Sequence, residues 1–255
     1  MISISEAQLS AWLAPVLWPF LRVLGMFGSS PLLSIRAIPT RTKICLAFLV
    51  ALCAQASLEG QPVVGLNDTD TIATAVHEVG VGLAIGFAVR LVFTTVELAG
   101  ELMALQMGLN FAMFFDMTSN SQASAVSRFY GNIAVLLFVV MNGHLMILMA
   151  VIKSYDAFPV NFGLMDTFSR LHLHTMGAEL FSSALWMALP VIGLLLMVNL
   201  TLGIVSRVAP QMNIFALGFP VTLTVGLMGI TAGLPLLETP MTRLLTQAID
   251  LFMKR

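Results

Sequence analysis

The chain has 255 residues, of which 58% are hydrophobic and only 10% are charged. Because a soluble domain has about 25% charged residues, this composition excludes an ordinary water-soluble surface. The formal net charge is -1. There is therefore no basic surplus to neutralise nucleic-acid phosphates, and nucleic acid is excluded as a partner.

Three long stretches of the chain carry no charged residue. They cover residues 129–152, 180–206 and 208–237. As a helix with about 1.5 Å rise per residue, each is long enough to cross a hydrocarbon core of about 30 Å. Their apolar character is continuous rather than alternating, which argues against a transmembrane β-barrel. The sequence therefore predicts an all-α integral membrane protein of long kinked helices and helical hairpins.

The N-terminal region predicts a membrane helix that is retained in the mature chain. Glu6 stands where a signal peptide carries basic residues, and no cleavage site of small residues follows it. Residues 8–35 are apolar but contain Pro15 and Pro19, so we expect one kinked span or two short pieces. Residues 44–57 are too few for a full span and predict a core or partial-span helix.

Two cysteines, Cys45 and Cys53, lie eight residues apart in the apolar run ICLAFLVALC. On a helix this separation is about 12 Å, which is beyond the reach of a disulfide bond. We therefore expect two buried free thiols.

The next apolar stretch, residues 72–115, contains four ionisable residues. A polar loop precedes it, and residues 67–71 offer a helix cap. Ionisable groups at this density do not face lipid, so we expect them to pair with each other, line water or contact another subunit. They are Glu78, Arg90, Glu97 and Glu101.

Small residues recur at a spacing that favours close helix contacts. Gly82 is followed by Gly86, and Gly229 is followed by Gly233. Glycines four residues apart lie on one helical face and allow the backbones of two membrane helices to approach. Such pairs are common in apolar helices, so they predict contacts without identifying a partner.

Polar residues interrupt the helix that is predicted over residues 129–152. Asn142 and His144 lie in the segment VVMNGHLMIL. Polar groups inside a membrane are candidates for function. The alternative is a hydrogen bond between helices that fixes packing, and it is favoured because no carboxylate or second histidine is nearby in sequence.

Motifs of common enzymes are missing from the sequence. There is no GxSxG, HExxH, CxxC or P-loop pattern. His172 and His174 lie two residues apart, which places them on different faces of a helix. We therefore expect no catalytic residue, no metal site and no cofactor.

Loop charges give an inconsistent membrane topology. Arg36, Arg41 and Lys43 mark the first loop as cytoplasmic, and the acidic residues within 59–70 fit the opposite side. Counting six spans places Arg207 in a cytoplasmic loop but leaves the basic C-terminus outside. Either the span count is wrong by one, or some helices do not cross a bilayer in the ordinary way.

The segment MALQMGLNFAMFFDM, residues 103–117, is unusual in composition. Met103, Met107 and Phe111 repeat every four residues, as on one helical face. Methionine is unbranched and phenylalanine is bulky, so the two together suit a hydrophobic constriction that opens and reseals. Composition alone favours ordinary core packing instead, whereas Gly108 and the acidic break after it favour a mobile loop.

Three segments together resemble one family. They are GLNFAMFFD at residues 108–116, NGHL at 142–145 leading to KSYDAFPV at 153–160, and ALPVIGLLLMVNLTLGIVSRVAPQMNIFALGFP at 188–220. The chain resembles the FliR family, the flagellar biosynthetic proteins of the type III export gate, over essentially its whole length. The third segment is the most specific of the three.

The resemblance implies a structural and gating subunit of the bacterial inner membrane, in the flagellar basal body. Such a subunit assembles with FliP and FliQ, adjoins FlhB, and helps to form and seal the channel for unfolded flagellar proteins. Residues 1–180 would be a FliP-like region and residues 181–255 a FliQ-like hairpin with the C-terminal tail. The family's subunits are held partly above the bilayer plane, which would explain the inconsistent loop charges.

The resemblance also implies roles for individual residues. The loop around residues 108–116 corresponds to a plug in the export channel, although Met117 stands where the family usually has proline. Plug and gate candidates are Met107, Gly108, Phe111, Met113, Phe114, Phe115 and Asp116, and candidates for partner contact at the hairpin turn are Arg207, Pro210, Gln211, Asn213 and Phe215.

Two other functions remain as alternatives. A small-molecule secondary transporter predicts an internal repeat and convergent charges at mid-membrane. No convincing pair of matching halves is found. An intramembrane protease needs a nucleophile or an aspartate pair, and neither occurs at a recognisable spacing.

Overall fold

A computed structural model describes residues 6–31, 34, 38–55, 71–109, 123–160, 163, 167, 169, 173–211 and 214–253. Over these ranges the chain forms helices and no strands, which confirms the all-α fold. The helices are α1 (Glu6–Ser29), α2 (Thr40–Gln55), α3 (Thr71–Met107), α4 (Ala125–Val140), α5 (Gly143–Ala157), α6 (Leu173–Val208), α7 (Ile214–Gly233), a 3-10 turn (Leu234–Leu237) and α8 (Glu238–Met253).

Four helical segments of the described chain are long and apolar enough to cross a membrane. They lie in α1, in α3, in α6 and in the segment that runs from α7 into α8. Helices α4 and α5 add a fifth if the bent pair is one span. The count of six is therefore wrong for the described residues, because α2 has only 16 residues and cannot span about 30 Å of hydrocarbon.

The structure decides between two alternatives for the first predicted helix and corrects a later helix. Residues 6–29 form one helix that contains Pro15 and Pro19, which is one of the two expected arrangements. The predicted helix over residues 129–152 is wrong as a single element, because it breaks between α4 and α5. Asn142 adopts a left-handed conformation with φ 56° at this break. Asparagine tolerates that conformation better than most residues, so it stops the helix locally.

The described chain divides into two compact units. Unit 1 comprises residues 1–91, 138–176 and 245–255, and unit 2 comprises residues 92–137 and 177–244. Each unit combines segments that are distant in sequence. The division into a FliP-like region at 1–180 and a FliQ-like hairpin at 181–255 concerns likeness to other subunits, which compactness does not test. It stays a prediction.

Helix α2 packs on α1 in unit 1 through a face of alanines. Ala47, Ala51 and Ala54 are fully buried, and their four-residue and three-residue spacing places them on one side of the helix. Cys45 and Cys53 are free thiols, as expected, but both are exposed. The prediction of buried thiols is wrong, since the alanine face and not the cysteine face meets α1.

Helix α3 approaches α1 so closely that glycine is required at the contact. A Cβ atom on Gly82 would overlap the carbonyl oxygen of Arg22, and one on Gly86 would come within 2.6 Å of the Met26 carbonyl oxygen. A Cβ atom on Gly25 of α1 would likewise lie only 2.6 Å from the Val79 carbonyl oxygen. The contact predicted for Gly82 and Gly86 is therefore confirmed.

The hairpin of α6 and α7 packs less tightly in unit 2. A Cβ on Gly229 would lie 3.4 Å from Val191 and one on Gly233 would lie 4.0 Å from it, which are ordinary van der Waals distances. Glycine is compatible with this contact, but a larger residue such as alanine would also fit there.

Candidate functional site

Unit 1 contains a buried ion pair between α1 and α3. The Arg22 guanidinium donates from Nε to Glu78 Oε2 at 2.8 Å and from a terminal nitrogen to Glu78 Oε1 at 2.9 Å. Both side chains are completely inaccessible. This two-bond arrangement is the strongest common geometry for an arginine and a carboxylate.

Further groups form hydrogen bonds with both members of this ion pair. Arg22 also donates to Ser154 Oγ at 2.8 Å and to the Phe158 carbonyl at 2.9 Å. Tyr155 donates its hydroxyl to Glu78 Oε2 at 3.0 Å, and its ring lies 3.6 Å from the Arg22 guanidinium carbon. The network therefore joins α1, α3 and α5, and all its charges are paired inside apolar helices.

For Glu78 this pairing agrees with the expectation that the ionisable residues of residues 72–115 avoid lipid. Arg90 and Glu97 are exposed on the described chain, so for them the expectation stays a prediction. The partner of Glu78 is Arg22 of α1, which interrupts the first apolar stretch but which the sequence pattern did not connect with Glu78. A substrate path through a membrane needs polar groups that face a cavity, whereas this pair is enclosed and fully hydrogen-bonded. The ion pair therefore serves to hold helices α1, α3 and α5 together.

The C-terminus of α3 in unit 2 ends in a Schellman motif. The Leu109 amide donates to the Ala104 carbonyl at 3.1 Å, and the Gly108 amide donates to the Leu105 carbonyl at 3.1 Å. Gly108 has φ 78°, the left-handed conformation that this motif requires. The expected role of Gly108 in a mobile loop is thereby sharpened, because it terminates the helix at a defined residue.

Met107 fixes this helix end against α7. Its side chain is fully buried, and a Cβ on Gly226 would come within 2.6 Å of its Cγ. Thr222 Oγ1 lies 3.4 Å from the Met107 carbonyl oxygen, and Gly108 faces the Phe219 ring. Met107 thus packs directly against the backbone of α7, because Gly226 has no side chain there.

The chain after the loop is tied back to α3. Ser124 is the N-cap of α4, since its Oγ accepts from the Ser127 amide at 3.1 Å and its carbonyl accepts from the Arg128 amide. The Ser124 amide itself donates to Glu101 Oε2 at 3.1 Å. In a capping box the third helical residue supplies this carboxylate, but here Glu101 supplies it from α3.

The loop between these two anchors contains most of the predicted plug. Its ends are fixed at Met107–Leu109 and at Ser124, both on the C-terminal turns of α3. We call this pair of attachments the loop anchor. Phe111, Met113, Phe114, Phe115 and Asp116 lie outside the described residues, so their gating role stays a prediction.

The other predicted site residues lie at exposed positions or outside the described chain. Asn142 and His144 are exposed, and their role in helix packing stays a prediction. At the hairpin turn Arg207, Pro210 and Gln211 are exposed, Asn213 lies outside the described residues, and Phe215 lies in α7 without a described side chain.

Sequence reasoning missed part of the loop anchor. Ser124 and Gly226 received no role, and Glu101 was expected to pair, line water or contact another subunit rather than to cap a helix. A serine directly before an apolar run is a local signal of a helix start, so Ser124 could have been found. The contact of Met107 with Gly226 has no local signal. It joins residues that are far apart in sequence.

The described fold is that of an all-helical membrane protein with a loop that is tethered at both ends. A family profile described as bacterial export proteins, family 1, matches residues 13–248. The flagellar biosynthetic protein FliR of Pectobacterium carotovorum subsp. carotovorum is 36% identical over 256 residues, which cover 98% of this chain and 96% of that protein.

Other bacteria have similar proteins. The flagellar biosynthetic protein FliR of Escherichia coli (strain K12) is 35% identical over 98% of this chain and 96% of its own length. That of Bacillus subtilis (strain 168) is 30% identical over 81% of this chain and 80% of its own length. The chain belongs to the bacterial export proteins, family 1, with the FliR proteins. It is a membrane-embedded component of the flagellar export apparatus.

Proposed function

We propose that the chain is a non-catalytic structural and gating subunit of the flagellar type III export gate in the bacterial inner membrane. In this role it helps to form and seal the channel through which unfolded flagellar proteins pass. The loop anchor carries the proposal. A segment that must open and reseal needs fixed ends, and here both ends are attached to one rigid helix.

The chemistry of the loop supports a seal. Phe111, Phe114 and Phe115 provide bulk, and Met113 provides a side chain that can re-form contacts after displacement. A ring of such side chains excludes water and ions without binding a passing chain tightly. Met107 and Gly108, which were predicted with them, also form part of the anchor at the base of the loop.

The apolar surface of α6 supports assembly with other membrane subunits. Only 17% of its apolar stretch is buried within this chain, against 61% in α3. With 36 residues, α6 is about 54 Å long, which exceeds the hydrocarbon thickness. FliP and FliQ are the proposed neighbours. FlhB is the proposed partner of the hairpin turn, where Arg207, Pro210 and Gln211 are exposed.

The sealing role is tested by ion conductance. We expect membranes that contain the assembled complex with Phe111→Ala, Phe114→Ala and Phe115→Ala to leak ions, because three large rings are removed from the seal. The matched control is Phe48→Ala with Phe87→Ala and Phe129→Ala, which removes three exposed rings outside the loop and outside α6. Equal conductance of the triple variant and the control would refute the seal.

The assembly role is tested by co-purification after extraction in mild detergent. We expect the tagged chain to recover subunits similar to FliP and FliQ. Arg207→Ala with Gln211→Ala should weaken recovery of an FlhB-like protein while leaving the other subunits bound. A stable chain that transports a substrate by itself would overturn the proposal and favour a secondary transporter.

A further inference from the structure

His77 is a buried histidine beside the Arg22–Glu78 ion pair. It lies on α3, one residue before Glu78, and only 1% of its surface is exposed. Its Nε2 lies 2.9 Å from Thr167 Oγ1. Its Nδ1 lies 3.5 Å from Glu78 Oε1, which is long for a hydrogen bond, and has no hydrogen-bond partner among the residues that the structure describes. A buried polar atom without a partner is costly and needs an explanation.

The hydrogen bonds of Thr167 determine which ring nitrogen of His77 carries the hydrogen. The Thr167 hydroxyl donates to the Gly163 carbonyl, four residues earlier, at 3.1 Å. A hydroxyl has one hydrogen, so Thr167 Oγ1 can only accept from His77. The neutral imidazole therefore carries its hydrogen on Nε2, and its Nδ1 presents a lone pair.

The Glu78 carboxylate has an unused acceptor position next to this lone pair. Its Oε2 accepts from Arg22 Nε and from the Tyr155 hydroxyl. In the described structure its Oε1 accepts only from a terminal nitrogen of Arg22. Since a carboxylate has about four lone pairs, one remains on Oε1, the oxygen that lies 3.5 Å from His77 Nδ1. Two lone pairs thus face this gap with no hydrogen between them.

We infer that His77 and Glu78 form a binding site for one proton. The Nδ1 lone pair binds a proton that a hydronium ion gives up to become water, and no other covalent bond forms or breaks. The ring is then an imidazolium, whose Nδ1–H donates to Glu78 Oε1. This one hydrogen satisfies both Nδ1 and the last lone pair of Glu78, while Nε2 still donates to Thr167.

The charges around this histidine allow the proton to bind and to leave. Glu78 precedes on the same helix turn, Arg22 faces the pair from α1, and Tyr155 faces it from α5. Lys153 and Asp156 of α5 are exposed. With a neutral imidazole the enclosed groups have no net charge, and with a bound proton they have one excess positive charge. The carboxylate attracts this proton and the guanidinium repels it.

A bound proton also changes the packing of α3 against the chain that follows α5. A charge-assisted hydrogen bond is about 2.8 Å long, so Nδ1 and Oε1 must approach each other by about 0.7 Å from the observed 3.5 Å. Movement of the rigid ring stretches its bond to Thr167, and movement of the carboxylate stretches its bonds to Arg22. The proton therefore links the ion pair to the segment that contains Gly163 and Thr167.

The site is tested by nitrogen NMR of the purified export complex, reconstituted in lipid with 15N-labelled histidine. Protonated and unprotonated ring nitrogens have well separated 15N resonances. His77→Gln identifies the signals of His77 by their loss, because it removes Nδ1 while an amide can still donate to Thr167. His144→Gln is the matched control, since it removes an exposed imidazole of the same chain.

The protonation state is compared at about pH 8 and about pH 5.5, the range in which histidine ordinarily changes its charge. We expect hydrogen on Nε2 alone at the higher pH and on both nitrogens at the lower pH. A neutral ring with its hydrogen on Nδ1 would overturn the assignment from Thr167. A ring that stays neutral at the lower pH would overturn the proton site, and one that is doubly protonated at both pH values would overturn reversible binding.

Two variants test the partners of the proton. In Glu78→Gln the fraction of protonated His77 at about pH 5.5 should fall at least about tenfold, because only the repulsion by Arg22 remains. An unchanged fraction would overturn the role of the carboxylate. If this variant does not assemble, Thr167→Val is compared with Thr167→Ser. We expect the valine variant to move the hydrogen of the neutral ring to Nδ1, where Glu78 accepts it, and the serine variant to keep it on Nε2; the same tautomer in both would overturn the geometry.

The inference does not depend on the gating role of the chain. Ion conductance of complexes with the loop substitutions is measured on separate samples at the same two pH values. A proton that binds His77 in a protein whose loop variants do not leak would refute the seal alone. A ring that never binds the proton in a protein whose loop variants leak would refute the proton site alone.

Discussion

Removing the carboxylate of Glu78 should destabilise the protein far more than removing an exposed carboxylate. In the Glu78→Gln variant the side chain keeps nearly the same shape, but the Arg22 charge loses its counter-charge in a completely buried site. The remaining partners of Arg22, Ser154 Oγ and the Phe158 carbonyl, are neutral. A buried charge without an opposite charge is therefore left between α1 and α3.

The magnitude follows from the complete burial of both partners. Breaking a buried pair by removing one partner costs about 3–5 kcal/mol, because the other charge stays desolvated. The exposed Glu238 provides the control. For Glu238→Gln we expect a change within about 0.5 kcal/mol, which is typical of a surface substitution.

Replacing the whole pair should cost less than the single changes predict. In Arg22→Met with Glu78→Met no charge remains, and the volumes stay similar. The Tyr155 hydroxyl then loses its acceptor and the Phe158 carbonyl loses its donor, and each leaves a residual penalty of about 1–3 kcal/mol. Adding Tyr155→Phe should remove the part of the penalty that comes from the hydroxyl.

The assay is unfolding of the extracted protein by titration with a denaturing detergent, with helix content as the readout. The free energies of unfolding of the single, double and triple variants form a thermodynamic cycle. Strict additivity of Arg22→Met and Glu78→Met would refute the argument that they act as one pair. If Glu78→Gln changed the free energy of unfolding as little as Glu238→Gln, the buried Arg22 charge would not carry the expected desolvation cost, and the reasoning would be refuted.

Glycine substitutions test the close contacts. Gly82→Ala should lower the free energy of unfolding by about 1–3 kcal/mol through overlap with the α1 backbone, whereas Gly229→Ala should be nearly neutral; equal effects would contradict the contact geometry. Gly108→Val should cost about 1–2 kcal/mol more than Gly108→Asn, because asparagine accepts the left-handed conformation; the same detergent titration checks this, and equal stability would argue against the Schellman motif. Gly226→Leu should displace Met107 and reduce stability and export, and Met107→Ala in the same chain should restore part of both; additive losses would exclude direct packing.

The sequence determined the membrane character of the protein and most of its helical segments. Hydrocarbon selects for long apolar runs, so composition and run length suffice to recognise them. Gly82 and Gly86 were also recognisable, because glycine spacing reports on close helix contacts wherever they occur.

Local sequence did not determine which face of a helix is buried. After its first turn helix α2 is apolar on all sides, so its pattern contains no preferred face. Packing of its alanines on α1 decided the exposure of Cys45 and Cys53. In the same way the break at Asn142 depends on the backbone conformation of one residue within an apolar run.

Only the tertiary structure decided the polar contacts. Arg22 and Glu78 are separated by 56 residues, and Glu101 caps a helix that begins after the loop. Such pairs depend on the rotation and register of helices that pack together, which hydropathy does not encode. The sequence alone thus determined that these helices enter a membrane, whereas tertiary packing decided which charges are neutralised there and how the loop after α3 is held.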